Sequence, residues 1–72
     1  MINSKQLGRV IRRARKKKGL SQAQLANMTG LARNTIANTE RGDRCPTWDT
    51  AVAIINTLGI TSAQLEGGKD GA

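Results

Sequence analysis

The sequence predicts an all-α fold, a compact bundle of five short helices. Three observations carry that expectation. Apolar residues recur at the spacing of a helical face, glycines close the segments one after another, and boxes of the form Ser/Thr-x-x-Gln open two of them. No stretch alternates with the period of two that a half-buried strand shows, and no internal repeat is visible. A chain of 72 residues allows one domain, placed at residues 1–66, with a short polar tail at residues 67–72. A core of that size is modest and depends on efficient packing.

The first helix is expected over about residues 4–18. Leu7, Val10, Ile11 and Ala14 share one face, Asn3 or Ser4 can cap the start, and Lys16, Lys17 and Lys18 suit the negative end of the helix dipole. The second opens at Ser21, whose capping box is completed by Gln24. Leu25, Ala26 and Met28 supply its apolar side, and Gly30 ends it. The third runs over about residues 32–41. Its apolar stripe is thin: Ile36, with Ala37 and the preceding Leu31. Arg33, Asn34, Thr35, Asn38 and Thr39 are polar, so much of this helix must face something other than the core. Ala32 is a poor cap, which predicts a frayed or shifted start. After a loop to Pro46, Thr47 caps a fourth helix with Asp49 in its first turn. Trp48, Ala51, Val52, Ile54, Ile55 and Leu58 make it the most apolar of the set, and Gly59 ends it. Thr61 and Gln64 form a second box that opens a short fifth helix with Leu65.

Charge is distributed one-sidedly. The formal net charge is +7 and the pI about 10.9. All nine cations up to residue 39 precede the first acid, Glu40. Such a field attracts a polyanion, either nucleic acid or an anionic membrane, or else marks a solvated basic face. Histidine is absent and Cys45 is the sole cysteine. An internal disulfide, a Cys/His metal site and Ser-His-Asp or Cys-His catalysis are therefore excluded, so no enzyme, metal or cofactor is expected. With no secretory signal and no run near 20 apolar residues, a soluble cytoplasmic protein is expected. A membrane-active peptide would need the cationic first helix free, yet Leu7, Val10 and Ile11 are wanted as core.

The informative stretch is SQAQLANMTGLARNTIANTERG, residues 21–42. Two short helices meet at a turn containing Gly30. Ala26 is small enough to let them cross closely, and Leu25, Leu31 and Ile36 fill the angle between them. This is the layout of a helix-turn-helix, whose second helix enters the major groove, and also that of an ordinary helical hairpin.

Here the chain resembles the Cro/cI-type, Xre-like helix-turn-helix regulators, which share the lambda-repressor-like fold. The likeness rests on RKKKGLSQAQLA (residues 15–26), Gly30, TIANTERG (residues 35–42), the Pro46–Thr47 helix opening and LGITSAQL (residues 58–65). The resemblance implies base contacts from Ala32, Arg33, Asn34 and Asn38. It implies phosphate contacts from Ser21, Gln22, Thr35 and Arg44, and a structural salt bridge between Arg15 and Glu40. Chemistry agrees for several: arginine can fork onto guanine, asparagine can pair with adenine, and helix N-termini favour phosphate. Ala32 offers only a methyl, suited to thymine. Arg15 has a rival reading as another DNA contact. Thr39 stands where the family usually has an aliphatic residue, which predicts looser packing. Trp48 replaces a usual leucine and is expected in the core or an interface; with Val52 and Ile55 it forms a candidate dimer face. The basic run from Arg12 to Lys18 is expected to be mostly solvated.

The implied function is a bacterial or phage regulator of transcription, a repressor, bound as a homodimer to a double-stranded DNA operator. A DNA-binding antitoxin or a protein-interaction adaptor, working with a toxin or another regulator as partner, is the alternative.

Overall fold

The computed structural model describes residues 3–43 and 45–61. Within them the chain forms four helices and no strand: α1 (Ser4–Lys17), α2 (Gln22–Thr29), α3 (Arg33–Arg41) and α4 (Trp48–Leu58). The expected fifth helix, the tail at residues 67–72 and Arg44 lie outside the described residues.

Local chemistry sets most helix ends. Asn3 and Gln6 form a reciprocal capping box: Oδ1 of Asn3 accepts from the Gln6 N–H at 2.8 Å, and Oε1 of Gln6 accepts from the Asn3 N–H at 3.0 Å. Ser21 and Gln24 repeat the device at α2, at 3.0 and 2.7 Å. Thr47 caps α4 through the Thr50 N–H. The exception is α3, whose N-cap Ala32 makes no side-chain bond. Its start must be held by packing.

α3 packs against both α1 and α2, and these two in turn meet α4. Ile11, Leu25, Ile36 and Ile54, one from each helix, are fully buried and form the centre. Val10, Ala14, Ala26, Leu58 and Ile60 surround them, with Leu7, Leu20, Leu31 and Ile55 closing the edges. Gly8 sits where α1 crosses the end of α3. A Cβ there would stand 2.5 Å from the Glu40 carbonyl oxygen and 2.6 Å from that of Thr39. At the same junction Gly42 takes a left-handed φ of +76°, and a Cβ on it would meet the Lys5 Cα at 2.8 Å. Two bare backbones thus let the helices touch.

Three expectations about packing need correction. Met28 does not join the apolar side of α2; it is 57% exposed, because Leu25 and Ala26 already fill the core face of a two-turn helix. Trp48, expected in the core or an interface, is 80% exposed at the first position of α4, which removes the core alternative and leaves the other. Thr39 does not loosen the contact beneath α3. It is buried, and its hydroxyl donates to the Thr35 carbonyl at 2.8 Å, so its polar atom enters the interior already satisfied.

Candidate nucleic-acid interface

α3 divides cleanly by face. Ile36, Thr39 and Glu40 turn inward at helical spacing. Arg33, Asn34 and Arg41 are exposed, and Thr35, Ala37 and Asn38 are half-buried. Ala32 is exposed at the helix start. Arg33 and Asn34 therefore project outward together near the beginning of α3, with Asn38 one turn further on.

Arg15 and Glu40 join α1 to the end of α3. Nε of Arg15 donates to Oε2 of Glu40 at 2.6 Å, and Nη2 donates to Oε1 at 3.0 Å. Nη1 turns the other way and donates to the Leu20 carbonyl in the α1–α2 loop at 2.7 Å. Both side chains are nearly closed off from solvent, at 9% and 3% exposure. The bond to Glu40 raises the Arg15 pKa above the usual arginine value, against the opposing effect of burial. Gln22, the first residue of α2, adds a third arm: its Nε2 donates to Oε1 of Glu40 at 3.2 Å. One carboxylate thus gathers α1, the start of α2 and the end of α3.

This network lies in a cleft whose outer lining is Arg12, Gln22, Arg33, Asn34 and Arg41. Because Arg15 pairs with Glu40 and Arg41 with Asp43, Arg12 and Arg33 set the sign of the cleft, and it suits an anion. Ser21 stands exposed next to Gln22. Its N–H is taken by Gln24 and its oxygen accepts from the Gln24 N–H, which leaves the hydroxyl hydrogen for an outside acceptor. Thr35 is half-buried, and its carbonyl is occupied by Thr39.

Sequence reasoning did not single out Arg12 or Arg41. Arg12 follows Gly8 by four residues and precedes Arg15 by three. Counting along that face of α1 would have placed it beside α3. It also borders a second, shallower hollow with Arg9, Arg13 and Lys16, so the basic surface of α1 runs on from the cleft without a break. Arg41 lies three residues beyond Asn38 on α3, donates to the Asn38 side chain through Nη2, and to Asp43 through Nε at 3.0 Å. Trp48, Val52 and Ile55 occupy α4; Val52 and Ile55 are half-buried. No cluster of metal-ligating side chains occurs among the described residues, and none of the described helices is long and apolar enough to cross a membrane.

A capped helix joined through a left-handed glycine to a second that offers its polar face beside a cationic cleft makes a helix-turn-helix of the DNA-binding kind. The helix-turn-helix family model matches residues 11–65, and the chain belongs to that family, in its Cro/cI-type, Xre-like form. Its sequence is 33% identical over 81 aligned positions to the ImmF control region 10 kDa protein of Bacillus phage phi105, covering all of this chain and 90% of the phage protein. Its structure is similar to the crystal structure of the restriction-modification controller protein C.AhdI from Aeromonas hydrophila. That likeness has a TM-score of 0.76 and 33% identity, over 85% of this chain and 92% of the controller.

Proposed function

We propose that this regulator is a repressor that binds a specific double-stranded DNA operator as a homodimer, each chain reading one major groove with α3. The observation that carries the reading is the outward face of α3, where Arg33 and Asn34 stand exposed above a cleft of arginines. Arg33, Asn34 and Asn38 meet base edges, and the Ala32 methyl meets thymine. Ser21, Gln22, Thr35 and Arg44 hold phosphates, with Gln22 steadied by Glu40. The phage relative's name speaks of a control region and the structural neighbour's of a controller, which supports a role in transcriptional control.

Selection of bound sequences from random duplex DNA tests the reading directly. Arg33→Ala is expected to cost about 1–3 kcal/mol of binding and to relax preference at one base pair. Affinity should fall with salt by about 0.9 log units per log unit for each phosphate neutralised, and Arg12→Ala should flatten that slope by about one contact. Equal binding to all sequences by the native chain, or full discrimination by Arg33→Ala, would overturn the assignment. A reporter fused to the selected site gives the sign of regulation; activation would refute the repressor role.

The described part of the chain is at most 28 Å long, less than the roughly 34 Å turn that separates paired half-sites. One chain therefore reads one half-site, and two are needed for a palindrome. The dimer face is assigned to Trp48 with Val52 and Ile55, since burying an exposed tryptophan is a strong reason to associate. Sedimentation should show a dimer, at least on DNA, that Trp48→Ala weakens. A chain that stays monomeric both free and on DNA would remove this face.

A further inference from the structure

We propose that Arg41 is a positioning residue that fixes the polarity of the Asn38 amide and turns Asn38 from a reader of adenine into a reader of guanine. The inference rests on the function proposed above, in which Asn38 meets a base edge.

Nη2 of Arg41 donates to Oδ1 of Asn38, one turn back on α3. Nε of the same guanidinium donates to Oδ2 of Asp43 at 3.0 Å. The rigid fork of Arg41 is therefore held at one point while it holds Asn38 at another. A guanidinium has five N–H donors and no acceptor. The end of the Asn38 amide that faces it must be the oxygen, and the NH₂ end is turned away.

An unrestrained asparagine pairs with adenine through both ends. Its oxygen accepts from the N6 amino group while its nitrogen donates to N7. Here the oxygen already accepts a charge-assisted bond. Its second lone pair lies beside the guanidinium, where a base N–H has to approach against a charge of like sign. The amino groups of adenine and cytosine are both disfavoured for that reason. Guanine offers two acceptors in the major groove, N7 and O6, and no donor there. It suits the two free hydrogens of Nδ2 and the positive potential of Arg41 alike.

The test is selection from random duplexes with the native chain, Asn38→Ala and Arg41→Ala. Asn38→Ala identifies the base pair as the one whose preference relaxes. At that pair the native chain is expected to favour guanine over adenine by about tenfold. Arg41→Ala is expected to level that preference or pass it to adenine. Arg41 is a largely exposed side chain, so this variant should fold, and its circular dichroism and melting transition check that it does. Asp43→Ala removes the other anchor of the guanidinium and should soften the preference in the same direction. Three results would overturn the inference: adenine at that pair in the native selection, no pair relaxed by Asn38→Ala, or an Arg41→Ala chain that loses affinity for every sequence equally. The last is the mark of a simple phosphate contact. A native chain that enriches no sequence would instead sink the function itself, and the inference with it.

Discussion

Replacing Arg15 by alanine is expected to destabilise the fold by about 3–5 kcal/mol, the usual effect of stranding one member of a buried ion pair. Glu40 is left with a carboxylate at 3% exposure and only Gln22 to donate to it. The Leu20 carbonyl loses its partner as well. A domain of this size has a total stability of the same order, so the variant should be largely unfolded at 37 °C. Denaturant titration followed by circular dichroism measures the change. Replacing both partners by apolar residues of similar volume, Arg15→Met with Glu40→Leu, is expected to restore much of the loss, because the pair has to offset its own desolvation. A single-variant loss below about 1 kcal/mol would mean the pair is as weakly coupled as an exposed one. Alkaline pH offers no route to breaking it. A raised guanidinium pKa places the pH at which its charge is lost, and the stabilisation with it, above the ordinary arginine value.

The second large effect is expected at Gly8. By helix propensity alone, Gly8→Ala should stabilise α1 by about 1 kcal/mol. The added Cβ would instead lie 2.5–2.6 Å from two backbone carbonyl oxygens of α3. No rotamer change relieves a clash with backbone, so the helices must move apart. The net expectation is a loss of about 1–3 kcal/mol. In a domain of this length that lowers the melting temperature by about 4–8 °C per kcal/mol. DNA affinity should fall with it, since displacing α3 from α1 opens the cleft between Arg12 and Arg33. A variant that melts higher than the native chain would show that α1 and α3 do not approach this closely.

Local features of the sequence were legible because their partners lie three or four residues away. The Ser21–Gln24 box, the Thr47 cap and the helix-ending Gly30, Gly42 and Gly59 all appear where reading along the chain places them. Features that depend on a distant neighbour were not. Gly8 looks like a weak point in a helical pattern until the carbonyls of Thr39 and Glu40 are set beside it. Hydrophobicity points Met28 inward and leaves Trp48 between core and interface, but in helices of two or three turns Leu25, Ala26 and Ile54 already take the inner positions. Thr39 reads as a missing aliphatic side chain until its hydroxyl's bond to the Thr35 carbonyl is seen. Reading along the chain groups Arg33, Asn34 and Asn38 as one face but gives no sign that Arg41 bonds to the Asn38 side chain.

The lack of a cap on α3 has a consequence for how such a protein can change. A segment of nine residues, rich in asparagine and threonine and without a side chain to start it, has little tendency to coil by itself. What keeps it wound is Ile36, Thr39 and Glu40 on the inner side. Residues 33 and 34 are exposed and give little to that scaffold, so they can be exchanged in a way the inner residues cannot. On the proposed reading, in which these positions meet base edges, new targets are acquired by changing them while the frame that presents them stays the same.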